Sequence, residues 1–127
     1  MRTIIAGSRG VKSVRIITAA LAHCGWTPTV VISGACPDSP DILGELWAER
    51  HGVPVERYPA DWARFGRRAG MLRNSHMAYV GQALVAIWDG KSPGTKQMIE
   101  AAHRRRLRVF VWHYRKPPFG KNNKGRR

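Results

Sequence analysis

The sequence predicts an α/β protein: a Rossmann-like, doubly wound parallel sheet of about five strands in a single domain. Three observations predict it. Short apolar runs alternate with helix-like segments along most of the chain. Two of those runs, ALVAIW (83–88) and LRVFVW (107–112), are nearly unbroken, as in parallel strands buried on both faces. Glycine and proline fall at the boundaries between segments, where they punctuate rather than interrupt.

RTIIA (2–6) reads as a short strand ending in Gly7. Residues 11–24 place Val11, Val14, Ile17, Thr18 and Leu21 at helical spacing, and Gly25 stops the helix. TPTVVIS (27–33) is β-rich and bounded by Pro28 and Gly34. Residues 40–52 begin with Pro40, end at Gly52, and set Ile42, Leu43, Leu46 and Trp47 toward a core. VPVERY (53–58) is a brief strand, and 59–69 a polar, aromatic connection. Residues 69–82 read as a helix with Leu72, Met77 and Val80 as core contacts, followed by the strand 83–88. After the loop DGKSPG, residues 95–106 form a helix with Thr95 at its N-cap, and 107–112 a last buried strand. These elements read as one domain, 1–114, and RKPPFGKNNKGRR (115–127) reads as a flexible basic tail.

Among 127 residues, 22 are basic and 8 acidic, a net charge of +14. Residues 1–63 hold six of each sign, so the whole excess lies in the second half. Such asymmetry favours a phosphate-bearing partner, which includes nucleic acid bound through the second half and tail. No apolar run approaches the ~18 residues that span a bilayer, so no membrane partner is expected. The N-terminus lacks a secretory pattern, which with two unpaired thiols, Cys24 and Cys36, reads as cytoplasmic. His23, His51, His76, His103 and His113 share no metal-ligand spacing, and neither a metal nor a cofactor is expected.

Three turns carry the chemistry. Gly7-Ser8-Arg9-Gly10 offers a tight turn, a hydroxyl, a guanidinium and the free N–H groups of a helix start. Ser33-Gly34-Ala35-Cys36 allows backbone to approach a ribose or phosphate. Asp89-Gly90-Lys91-Ser92-Pro93-Gly94-Thr95 presents Ser92, Gly94 and Thr95 to an anion, with Lys91 and Lys96 adding charge. A doubly wound sheet puts all three at one edge, where ligands of such folds bind. Arg73, followed by Asn74, is placed to make a bidentate phosphate contact. Trp26, Trp47, Trp88 and Trp112 fall on apolar faces and read as core; Trp62, beside Asp61, is free to stack on a base.

AGSRG, VVISGA, VPVERYPADWARFGRRAGMLRNSHMA and AIWDGKSPGTKQMIEAA followed by VFVW resemble the YspA-like branch of the SLOG superfamily over roughly residues 1–112. That Rossmann-like superfamily includes the LOG phosphoribohydrolases and the DNA-processing protein DprA. The resemblance implies binding of a nucleotide or nucleotide derivative by Gly7, Ser8, Arg9, Gly34, Arg73, Asn74, Ser92, Gly94 and Thr95, and association into homo-oligomers; three phosphate-compatible turns without an identifiable catalytic carboxylate read as a sensor or sequestering module. The branch's Gly-Ala-Arg-Gly-Ala-Asp stretch is replaced by Gly34-Ala35-Cys36-Pro37-Asp38-Ser39-Pro40-Asp41, which keeps an acid at Asp41. LOG enzymes use a Gly-Thr-x-x-Glu glutamate in catalysis, and Met98 stands at that position here. The alternative to pure binding is therefore a nucleotide N-glycosidase that draws its carboxylate from Asp41, Glu45 or Asp61, with Arg73 beside it. The second alternative is binding of single-stranded nucleic acid.

Overall fold

Two apolar faces on one set of strands dictate the layers. The computed structural model describes residues 1–115; the basic tail expected from Arg115 otherwise lies outside the described residues. Strands β1 (Arg2–Gly7), β2 (Val30–Ser33), β3 (Val55–Arg57), β4 (Ala83–Trp88) and β5 (Arg108–His113) form one parallel sheet in the order β3-β2-β1-β4-β5. Successive side chains alternate between faces. Ile5, Val31, Val85 and Ile87 face one way and pack with Ile17 and Leu21 of helix α1 (Val14–His23) and Trp47 of α2 (Pro40–Arg50). Ile4, Ala6, Ile32, Leu84 and Ala86 face the other way and pack with Met77 of α4 (Ala69–Val80) and Met98 and Ala102 of α5 (Pro93–Arg104). The chain is the doubly wound α/β sheet that its alternating pattern predicts.

Several local expectations change. Helix α1 begins at Val14, not residue 11, because the Ser13 side chain caps it by accepting the Arg15 N–H. Strand β2 begins at Val30, the first residue in register with β1. In α2 the stripe against the sheet is Asp41, Gly44, Trp47 and Ala48, so Ile42 is left exposed. Gly44 allows this approach, since a Cβ there would lie 2.9 Å from Ile5 Cβ. The connection 59–69 is partly helical: α3 (Trp62–Phe65) is capped by Asp61, which accepts the Arg64 N–H, and a 3-10 turn (Gly66–Arg68) follows. Leu72 lies off the buried stripe of α4 and is exposed.

Helix α5 starts two residues earlier than expected. Ser92 occupies the N-cap position and Pro93 the first turn, where its fixed φ and missing N–H cost nothing. Thr95, expected at the cap, lies inside the first turn. Strand β5 is the sheet edge and is half-buried rather than enclosed, because nothing in the described residues pairs with its outer side. Of the four tryptophans assigned to the core, only Trp47 is buried; Trp26, Trp88 and Trp112 are half-buried.

The tightest point of the fold is between β1 and β4. Gly7 lies opposite Ile87, and a Cβ on Gly7 would overlap the Ile87 carbonyl oxygen. Because backbone on both sides is fixed by the ladder, Gly7→Ala is expected to cost about 1–3 kcal/mol. Urea denaturation of the variant and the wild type checks this.

Candidate functional site

Strand order reverses between β1 and β4, so the chain leaves β1 toward one side and β4 toward the other. A crevice opens there at the carboxyl ends of the strands. It is a cleft of about 460 Å³, floored by Ala6 and Gly7 and bordered by the turns after β1, β2 and β4 and by α4. The turn after β1 is tied to the turn after β4. Ser8 donates its N–H to the Ile87 carbonyl (2.9 Å), and its hydroxyl oxygen accepts the Asp89 N–H (3.1 Å). The Ser8 hydroxyl, expected to face a ligand, is thus engaged in joining two loops.

Asp89 organises the second of these loops. Its carboxylate accepts the N–H groups of Lys91 and Ser92, both at 2.8 Å, and the Ser92 hydroxyl at 2.8 Å. Burial pushes this carboxyl up, but the hydrogen bonds from Ser92, Lys91 and Ser8 together outweigh it and hold the group well below the usual carboxylate range. With Ser92 turned to Asp89, no side chain caps α5. Thr95 is 6% exposed and lines the cleft, yet its hydroxyl has no hydrogen-bond partner among the described residues. At Gly94 a Cβ would meet open space, so the glycine leaves the approach to the helix start bare.

Arg73 comes from the fourth side. Its Nη1 donates to the Gly34 carbonyl at 2.5 Å and to the Tyr58 carbonyl at 3.5 Å, and its Nε to Asn74 Oδ1 at 3.0 Å. Nη2 has no hydrogen-bond partner among the described residues and belongs to a side chain that lines the cleft. Asn74, 9% exposed, donates its amide to Gln97 Oε1 at 2.7 Å, which joins α4 to α5. Gly34 lies beneath this group: a Cβ there would collide with the Arg73 guanidinium and the Asp41 carboxylate. Arg9 lines the cleft as an exposed side chain, and Trp62 stands at its rim, with Cη2 3.4 Å from where a Gly70 Cβ would be.

The three acids separate clearly. Asp41 lines the cleft, is 5% exposed, and accepts the Cys36 N–H at 3.1 Å. Desolvation raises its pKa to about 6, against the opposing pull of the Cys36 N–H and the Arg73 charge. Glu45 is not in the cleft: it accepts from Ser33 Oγ (2.6 Å) and pairs with Arg57 (2.8 Å). Asp61 caps α3 and faces a neighbouring hollow instead. Cys36 and Met98 also line the cleft. Cys36 was not among the predicted ligands because the loop before α2 bends through left-handed Ala35 (φ 56°) and Asp38 (φ 55°), which no sequence pattern signals. Among the described residues no group of His, Cys, Asp and Glu is arranged to hold a metal ion, and no helix is long and apolar enough to cross a membrane.

A family model described as the YspA, cpYpsA-related SLOG family matches residues 1–65. The chain belongs to this family. It is also similar to the Gene 61 protein of Mycobacterium phage D29, with 32% identity over 118 residues that span 86% of this chain and 94% of that one. No solved structure matches the chain at a significant level. The matched residues of the family model include Gly7, Ser8, Arg9, Gly34 and Asp41, whereas Arg73 and the turn after β4 lie beyond it.

The Asp41 environment has a measurable consequence. Its carboxyl is raised above the ordinary 3.8, so the folded state retains a proton that the unfolded chain has already lost. Stability from this site is therefore greatest below pH 4 and falls as pH rises to about 6. Asp41→Asn removes the buried charge. The variant is expected to exceed the wild type by up to about 3 kcal/mol above pH 7, with the gain fading toward pH 4. Denaturation curves at both ends of that range test it.

Proposed function

We propose that the cleft binds a nucleotide or a nucleotide-derived compound by its phosphate. The observation that carries this reading is Thr95: a buried hydroxyl without a protein partner among the described residues, at a helix start without a side-chain cap, lining the same cleft as Arg73. A buried polar group left unpaired costs about 1–3 kcal/mol, which an anionic oxygen accepting its hydrogen bond would recover. The α5 dipole adds to the attraction. Family membership points to nucleotide-related ligands. In this reading Gly7 and Gly94 admit the phosphate closely, Arg9 and Arg73 supply charge, Asp41 meets a sugar hydroxyl and Trp62 covers the base. Ser8, Gly34, Asn74 and Ser92 hold the frame.

A thermal-shift screen of nucleotides and their derivatives on the full chain is expected to give stabilisation of about 2.7 kcal/mol at a hundredfold excess over Kd. Thr95→Val is expected to weaken the best ligand about 10- to 100-fold, as loss of a hydrogen bond to a charged group does. The same change should leave the unliganded protein at least as stable as before, since it removes an unpaired buried hydroxyl. No shift with any nucleotide, or a Thr95→Val variant that binds as well as the wild type, counts against the proposal.

Asp41 supports a second reading, hydrolysis of an N-glycosidic bond. A carboxyl near pKa 6 at the cleft can position water or stabilise a developing oxocarbenium ion, in a site where Met98 offers neither. Incubation with nucleoside monophosphates is then expected to release free base, detected by chromatography, and Asp41→Asn to abolish the release. Intact substrate after prolonged incubation rejects hydrolysis and leaves binding.

A further inference from the structure

Beside the cleft lies a second hollow of about 320 Å³, walled by Arg57, Tyr58, Phe65 and His76. Arg73 is the residue that lines both spaces. The hollow is aromatic: the Tyr58 and His76 rings meet edge-on with centroids 4.8 Å apart, and Phe65, 37% exposed, carries the Arg64 guanidinium 5.0 Å from its ring centre. It is also basic. Arg64 lies over the lining Phe65, Arg67 and Arg68 follow three and four residues on in the chain as exposed side chains, and none of the three has a carboxylate within ion-pair distance among the described residues. The acid that lines the hollow, Asp61, has one carboxylate oxygen engaged by the Arg64 backbone N–H of α3. The exposed Phe65 ring with the Arg64 guanidinium over it, beside Arg73, suits a base and its phosphate. A second copy of this chain would bring the same uncompensated charge against itself.

We infer that the ligand is longer than one nucleotide: a second nucleotide, joined to the first through a phosphodiester that crosses Arg73, lies in the hollow against Phe65. This rests on the reading of the cleft as a nucleotide pocket. A free dinucleotide and the end of a single strand share this chemistry, and the experiment separates them.

The full chain is titrated calorimetrically with adenosine monophosphate, the phosphorylated adenine dinucleotide and an adenine oligonucleotide of about 12 residues. The dinucleotide is expected to bind about 5- to 100-fold tighter than the monophosphate, the range for stacking one further base on an aromatic ring. Phe65→Ala removes that gain and leaves monophosphate affinity unchanged; Phe65→Leu, which keeps the apolar surface, guards against loss of fold. If the oligonucleotide binds tighter still, and the double change Arg67→Gln, Arg68→Gln lowers its log–log salt slope by about 1.4, the source is a strand end. Equal affinity for dinucleotide and oligonucleotide, insensitive to that double change, assigns a free dinucleotide. A dinucleotide no tighter than a bound monophosphate, or a gain that survives Phe65→Ala, overturns the inference while the cleft reading stands. Absence of binding by monophosphate and dinucleotide overturns both, even where the oligonucleotide still binds.

Discussion

The closeness of β1 and β4 is the constraint on which the rest depends. Gly7 has no Cβ where the Ile87 carbonyl passes, and Ser8 then bonds to Ile87 and Asp89 in succession. These contacts hold the turns after two strands side by side at the point where strand order reverses. Without a side chain on Gly7 the crevice floor is backbone, and Ser8 ties the two turns directly. The Asp89 loop adds the next level, since its carboxylate gathers Lys91 and Ser92 and so fixes where α5 begins. A helix start placed this way presents its N–H groups to the cleft.

Much of this was readable from residues alone. The unbroken run at 83–88 announced a central strand, and it is buried through Ile87 on both faces. Pro40 and Gly52 bracketed α2, whose helical residues are Pro40–Arg50. The turns after β1 and β4 were placed at one edge because right-handed crossovers allow nothing else. What was not readable depended on distance through space. The run at 107–112 looks like the run at 83–88, but strand order, set by which helix crosses which face, makes it an edge. Ser8 and Asn74 resemble ligand donors in sequence; their partners, Asp89 and Gln97, lie 81 and 23 residues away. Asp41 and Glu45 are four apart on one helix, yet one enters the cleft and the other turns to Arg57.

Charge divides the molecule in the same way. The ion pairs among the described residues, Arg2–Glu56, Lys12–Asp38 and Arg57–Glu45, all join residues before position 64. The first half holds equal numbers of the two signs, and six of its twelve charges are joined in these pairs. The arginines of α3, the 3-10 turn and the end of α5 have no such answer, and cations at the end of α5 are partly satisfied by its dipole.

Arg73 itself shows what that arrangement accomplishes. An arginine on an open helix loses most of its rotamer freedom only when something arrives to hold it. Here the carbonyls of Gly34 and Tyr58 and the amide of Asn74 have already immobilised the guanidinium as the chain folds. An anion bound there as proposed would meet a guanidinium with little further ordering to be done, a rigid fitting more than a closing hand.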